Sequence, residues 1–290
     1  MSVLSEPLTP GAATPAASRT QLMLQGPLVP TLLRLATPNV VGLFAMTVVI
    51  GYDGYIIGRL GADALAGVAL VFPLSMLMMQ MSGGGIGGAV TAAVARALGA
   101  GRSDDAGHLA QQSMLIACVL AALFTATLLG FGRSIFGAMG GRGAALDAAL
   151  SYADVLFSGA IVIWATNVLG AVVRGAGNML LPALMLVVTA LIHLALCPLL
   201  VFGWGPISGL GVAGAAASLL VANGTASAAL AWHLMRPGAA ARLNGSRWRL
   251  HPPLLRDILR VGIPASMSPI VSNGSIAVAT AFVGGYGTAA

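Results

Sequence analysis

Residues 33–58 read LRLATPNVVGLFAMTVVIGYDGYIIG, an apolar run whose interior contains a single acid, Asp53. About 20 apolar residues suffice for an α-helix to cross the hydrocarbon core of a membrane. Similar runs recur along the chain, and its polar and Gly/Pro-rich breaks separate six complete spans and a partial seventh. The predicted spans are residues 36–58, 66–95, 111–132, 150–173, 182–203 and 211–233, with the seventh starting at residue 261.

The composition of the chain also indicates a membrane protein. Its 290 residues are 58% hydrophobic and only 8% charged, with a mean hydropathy of +0.92. A soluble domain carries about 25% charged residues, so this chain cannot cover a water-exposed surface. The 39 glycines favour closely packed helices over an outer-membrane barrel. We therefore predict an all-α polytopic fold built around a six-helix transmembrane bundle.

The arginines predict the orientation of the chain in a bacterial inner (plasma) membrane. With a cytoplasmic N-terminus, eleven of the 14 arginines lie inside, and only Arg59, Arg133 and Arg142 lie outside. Because the arginines stand between apolar runs, the net charge of +6 does not indicate a nucleic-acid partner. We expect residues 1–28 to be a disordered cytoplasmic tail and residues 236–260 to be a basic linker at the lipid headgroups.

The first and last predicted spans are related by a repeat. A shift of 226 residues places Arg34 on Arg260, Pro38 on Pro264 and Gly58 on Gly284. Secondary transporters often contain homologous halves with the substrate between them. We therefore expect residues 29–235 to form an N-terminal lobe, and residues 261–290 to be the first helix of a truncated C-terminal lobe.

Ordered landmarks along the chain resemble the MATE (multidrug and toxic compound extrusion) family. They are DGYIIGRLG at residues 53–61, ARALGAGR at 95–102, RGAGN at 174–178 and GLGVAGAA at 209–216. The resemblance implies the first half of a twelve-helix, inverted-V transporter. It also implies a secondary antiporter, not an enzyme, that exports cationic amphiphilic drugs in exchange for protons or sodium and has no cofactor.

Asp53 is the leading functional candidate because an ionisable residue inside a span is costly unless it is paired, hydrated or neutralised. The resemblance implies that it couples cation or proton movement to drug release. His193 and Cys197 stand where the DinF-like branch of the family usually has Asn and Asp. A thiol is a poor sodium ligand, whereas a histidine can exchange a proton. We therefore favour proton coupling, with His193 assisting Asp53.

Other residues inside the spans are weaker candidates. Pro38 removes a helical hydrogen bond and can permit bending of the first span. The candidate cavity residues, polar or polarisable side chains within apolar runs, are Gln80, Asn167, Cys197, Asn223 and Met78. No set of catalytic residues is visible in the sequence.

Two further patterns are interpreted as structural. The glycine-rich residues 82–88 contain a formal G-x-G-x-x-G, but they lie inside a span with no preceding strand, which favours helix packing or a hinge over a nucleotide site. His108, His233 and His251 are not expected to lie within ligand distance of one another. Two cysteines without close spacing do not predict a zinc site.

Alternatives to a drug antiporter remain open at this point. One is a lipid-linked flippase of the same superfamily. Another is a non-transporting membrane fragment or assembly module, and self-association of the short chain would be one way to rebuild two lobes. The expected partners are small cationic drugs and membrane lipids.

Overall fold

The computed structural model describes residues 28–204, 207–243 and 250–284, so the predicted tail lies outside them except for Leu28. The described residues are almost entirely helical. The elements are α1 (Leu28–Gly58), α2 (Ala62–Gln80), a π-helical segment (Met81–Ile86), α3 (Gly87–Gly99), α4 (Ser103–Ala138), α5 (Gly143–Ser158), α6 (Ala160–Gly175), α7 (Leu180–Phe202), β1 (Gly203–Trp204), β2 (Ile207–Ser208), α8 (Val212–Met235) and α9 (Pro252–Gly284).

The predicted all-α polytopic membrane fold is confirmed. Among the described residues, four helical segments are long and apolar enough to cross a membrane: Ala62–Gly99, α4, α7 and α8. The bent pair α5–α6 makes a fifth if it counts as one span. The side chains of α1 are described without gaps only from Gly42, and Gly42–Gly58 is apolar but too short by itself to test the first predicted span. Length and composition thus support five of the seven predicted spans and leave the first and the partial seventh untested.

Several boundaries differ from the prediction. α4 continues to Ala138 and α5 begins at Gly143, so the predicted loop from Arg133 to Ala149 is mostly helical. Hydropathy ends a span at its first charged residues, whereas the helical hydrogen bonds continue beyond them. The predicted fourth span, residues 150–173, is broken by a bend of 49° between α5 and α6. Gly159 lies at this break, where a Cβ atom would overlap the Leu220 side chain.

The predicted linker 236–260 is also shorter than expected. α9 begins at Pro252, so the end of the predicted linker belongs to this helix, while residues 244–249 lie outside the described part of the chain. The start of the linker folds back on α8, since the Leu243 amide donates to the Leu234 carbonyl over 3.0 Å. Arg96, in the last turn of α3, forms a 3.0 Å ion pair with Asp257 of α9.

The core lies around α6, which packs against α3, α4 and α8. Trp164, Val168 and Val172 of this helix have no exposed surface. On one side of the core, α7 packs against both α1 and α8. These three helices position the polar residues described below.

The glycine-rich segment is helical, as the sequence predicted, and permits a close helix contact. It forms the π-helical segment and the start of α3, and α9 packs directly on it. A Cβ atom at Gly85 would overlap the Ser266 hydroxyl, and one at Gly262 would lie 2.7 Å from Ile86 Cδ1. The Gly85 contact therefore requires glycine, whereas a Cβ atom at Gly262 would require the flexible end of the Ile86 side chain to move.

Candidate ion-coupling site

Three predicted residues from two helices meet near one end of the bundle. His193 and Cys197 are four residues apart on α7, which places them on one face of that helix. This face packs against α1, where Asp53 lies five residues, or about 8 Å, before the end of the helix. The C-terminal ends of α1 and α7 are also in contact. The guanidinium of Arg59, directly after α1, lies 5.0 Å from the centre of the ring of Phe202, the last residue of α7.

The three side chains are in direct contact. His193 Nε2 is 2.8 Å from Asp53 Oδ1, and Cys197 Sγ is 3.7 Å from the same oxygen. The ligand atoms of all three residues lie within 4.8 Å of one another. His193 and Cys197 are almost fully buried, whereas the Asp53 side chain is 22% exposed. The site is therefore open only on the Asp53 side.

Ser218 of α8 holds the other side of the imidazole and was not predicted. Its hydroxyl lies 3.0 Å from His193 Nδ1 and donates a 2.8 Å hydrogen bond to the Ala215 carbonyl. Both ring nitrogens of His193 consequently have a polar partner, which fixes the orientation of the ring. No sequence pattern distinguishes Ser218 within an alanine-rich helix, because its partner lies on another helix.

Two residues of α5 were also missed. Tyr152 of α5 is buried and lies within electrostatic range of Asp53 and Cys197. Asp154, on the same helix, is an exposed acid inside the predicted fourth span. Asp154 could have been found from the sequence, since an acid within an apolar run is the signal that identified Asp53.

The polar cavity candidates on other helices have partners of their own. Asn167 of α6 donates a 2.8 Å hydrogen bond to the Ser82 hydroxyl in the π-helical segment. The Asn223 side-chain amide donates to the Leu219 carbonyl of the same helix. The backbone carbonyl of Asn223 accepts a hydrogen bond from the Thr166 hydroxyl. The Asn167 side chain thus joins two elements of the bundle, whereas the Asn223 side chain bonds within its own helix.

The remaining candidates have mixed outcomes. Gln80 is exposed, and its assignment to a cavity stays a prediction. Met78 has no exposed surface and packs in the core, so its assignment to a cavity wall is wrong. Pro38 lies within helix α1, but its side-chain surroundings fall outside the described residues, so its role in bending stays a prediction.

A second histidine pair contradicts the expected separation of the remaining histidines. The rings of His108 at the start of α4 and His251 before α9 have centroids 4.3 Å apart. Within the part of the chain that the structure describes, His108 Nδ1 and His251 Nε2 are buried without a hydrogen-bond partner. The prediction failed because it took the 143 residues between His108 and His251 as a sign that the two side chains are far apart in space. The fold instead brings the start of α9 next to α4.

Comparison with known proteins identifies the fold family. The MatE family model matches residues 38–199. A probable multidrug resistance protein NorM of Bradyrhizobium diazoefficiens is 30% identical over 89% of this chain and 55% of its own length. An FAD transporter of Shewanella oneidensis is 28% identical over 68% of this chain and 44% of its own length.

The solved structures agree with the sequence relatives. An outward-facing multidrug resistance MATE family transporter of the MOP superfamily superposes with a TM-score of 0.75 and 30% identity. The match covers 86% of this chain and 55% of that transporter. The chain thus spans about half the length of the relatives that it matches.

Proposed function

The chain belongs to the MatE family of multi-pass membrane transporters, and we propose that it provides the ion-coupling lobe of an antiporter that exports cationic amphiphilic drugs in exchange for protons. The observation that carries this proposal is the 2.8 Å contact between Asp53 and the buried His193. Two groups that can exchange protons, close together inside apolar helices, are typical of proton pathways in transporters.

The hydrogen-bond pattern gives the pair a place for one proton. In the proposed arrangement, the Ser218 hydroxyl donates to the Ala215 carbonyl and accepts from His193 Nδ1, which carries a hydrogen. The contact between Nε2 and Asp53 Oδ1 then needs a proton of its own, on either the nitrogen or the oxygen. A pair of this kind carries one proton without a net charge.

Loss of this proton weakens the contact between α1 and α7. Without it, the Nε2 lone pair faces a carboxylate oxygen at hydrogen-bond distance, which is repulsive. Asp53 can reach water through its exposed side, whereas His193 cannot. Proton release through Asp53 would therefore free α1 to move against α7, which is the coupling step that we propose.

The side chains at the site favour protons over sodium. Sodium, like other hard cations, prefers several oxygen ligands, and only Asp53 offers a carboxylate here. A nitrogen and a sulfur complete the set. An imidazole exchanges protons in the physiological pH range and so suits the proton better.

The charge of the accessible residues favours cationic substrates. Asp53 is partly exposed and Asp154 is exposed, and both lie inside predicted spans. The family relatives named as multidrug resistance or export proteins support a broad substrate range. We propose the bacterial inner membrane as the location, with the N-terminus in the cytoplasm and the apolar outer face in contact with lipid.

A transport assay with a matched pair of acids tests this function. The chain is reconstituted in proteoliposomes, and efflux of a fluorescent lipophilic cation is followed after a pH gradient is imposed. Asp53→Asn should lower the gradient-driven rate at least about tenfold. Asp63→Asn should leave the rate unchanged, because Asp63 is exposed in the first turn of α2. Equal rates for both variants would remove Asp53 from the coupling mechanism.

The proposal also predicts a binding signal that does not require two complete lobes. Addition of the cationic dye to the detergent-solubilised chain in weakly buffered solution should release protons from the wild type and from Asp63→Asn, but not from Asp53→Asn. Self-association of the chain, measured by its mass in detergent, would supply a second lobe for transport. Dye binding without proton release would contradict proton coupling.

Export of an anionic dinucleotide is the second candidate, because one relative is an FAD transporter. The same proteoliposomes loaded with FAD distinguish the two substrate classes. Efflux of FAD without efflux of the cation would replace the proposed substrate class. The role of Asp53 in coupling would then be tested by comparing FAD efflux in Asp53→Asn and in the wild type.

A further inference from the structure

The side chains at the Asp53 site have the composition of a transition-metal site. One carboxylate, one imidazole and one thiol provide an oxygen, a nitrogen and a sulfur, with all three ligand atoms within 4.8 Å of one another. Zinc(II) is bound by these three residue types, and three protein ligands with a fourth open position form a common zinc arrangement. Two of the three ligands, His193 and Cys197, are also almost fully buried, so water can reach a bound ion from the Asp53 side.

We propose that Asp53, His193 and Cys197 bind zinc(II), with water as the fourth ligand. In a tetrahedral zinc site, neighbouring ligand atoms lie about 3.4–3.6 Å apart. Cys197 Sγ and Asp53 Oδ1 are already 3.7 Å apart, and His193 Nε2 and Asp53 Oδ1 need to separate from 2.8 Å by about 0.6 Å. A small rotation of the partly exposed Asp53 side chain is enough for this adjustment.

The surroundings of His193 are those of a metal-bound histidine. Such a ligand usually donates its second ring nitrogen to an acceptor, which fixes the tautomer and directs the free lone pair at the metal. Here Nδ1 faces the Ser218 hydroxyl at 3.0 Å, so Nε2 points at Asp53 and Cys197. The ring is therefore already oriented for an ion at the position of the shared proton.

The exchange of ion for protons is balanced in charge. Zinc(II) displaces the proton shared by Asp53 and His193 and the thiol proton of Cys197, and both protons leave to solvent. A divalent ion with one carboxylate and one thiolate gives a neutral site, as two protons on the same groups do. Neutrality matters because an uncompensated charge within apolar helices is costly. The binding does not depend on whether the same pair drives transport.

Cobalt(II), a spectroscopic substitute for zinc(II), tests the site in the detergent-solubilised chain without an affinity tag. The wild type should show the thiolate-to-cobalt absorption band and the visible bands of a four-coordinate ion, and zinc(II) should abolish both. The chain has only two cysteines, so Cys118→Ala provides a matched control. Cys118 is exposed on α4 and free, and its removal should leave the spectrum unchanged.

Cys197→Ser should lose the thiolate band, and His193→Gln should weaken cobalt binding at least about tenfold. His108→Gln should retain the full spectrum, which excludes the other histidine pair as the binding site. Helical circular dichroism and a monodisperse elution profile identify variants that fold.

The wild type alone provides an independent measurement. Zinc(II) should release about two protons per ion bound, so the affinity should rise steeply with pH. Absence of a thiolate band, its loss in Cys118→Ala but not in Cys197→Ser, or zinc binding without proton release would each overturn the proposal. None of these results depends on drug or proton transport.

Discussion

Helices α1 and α9 share a sequence pattern but make different kinds of contact. Each carries an arginine four residues before a proline, and the two patterns are separated by 226 residues. α1 meets α7 through the polar contact between Asp53 and His193. α9 meets the π-helical segment through close packing at Gly85 and Gly262. At the position equivalent to Asp53, α9 has Ala279.

This difference indicates that the two copies of the repeat share a helical backbone. The side chains that differ between α1 and α9 determine what kind of contact each helix makes. A polar contact inside a membrane depends on a partner for each polar atom, whereas glycine packing depends on the absence of a Cβ atom. The two contacts should therefore respond to opposite changes. Removal of side-chain atoms should damage the α1 contact, and addition of atoms should damage the α9 contact.

The largest effect is expected from His193→Ala. The substitution removes the nearest partner of Asp53 and one of the two partners of Ser218, and it creates a buried cavity, so we expect a loss of about 3 kcal/mol in the free energy of unfolding. Ser266→Ala on α9 is the control. Among the described residues, its hydroxyl bonds only to the Gly262 carbonyl of its own helix, and the loss should be below about 1 kcal/mol. Denaturant unfolding in detergent measures both, and equal losses would refute the distinction.

An intermediate effect is expected from Gly85→Ala. The added Cβ would meet Ser266, including its Cα at 3.2 Å, so α9 must shift, at a cost of about 1–2 kcal/mol. Gly84→Ala gains the same helix propensity but has no atom within 4 Å of the new Cβ. Hydrogen exchange in residues 262–270 should be faster only in Gly85→Ala. Similar exchange in both variants would show that this contact does not depend on glycine.

The smallest effect is expected from Arg96→Gln, which breaks the ion pair between Arg96 and Asp257. Both side chains are about half exposed, so the pair should contribute at most about 0.5 kcal/mol. Hydrogen exchange at residues 252–260 should rise slightly at low salt and match the wild type in about 1 M salt, where charges are screened. Arg102→Gln is the control, since its partner Asp105 is three residues away. An effect that persists in high salt would contradict a surface ion pair.

The candidate site was predicted in part. Asp53 and His193 were expected to act together, and Cys197 was expected in a cavity, because a charged or polar residue inside an apolar run is visible in the sequence. Ser218 was not predicted, and the contact between His108 and His251 was contradicted. Each of these depends on which faces of distant helices meet, and hydropathy carries no information on that. Met78 was misplaced for the same reason.

The sequence by itself determined the membrane fold, most of the helices and the family, because hydropathy and short motifs are local properties. Only the tertiary structure decided that α5 and α6 bend apart at Gly159, that α9 starts at Pro252, and that Asp53, His193 and Cys197 converge. Asp53 and His193 are 140 residues apart in the chain. Their contact depends on the rotation and packing of α1 against α7, which are set by the shapes of all the helices in the bundle.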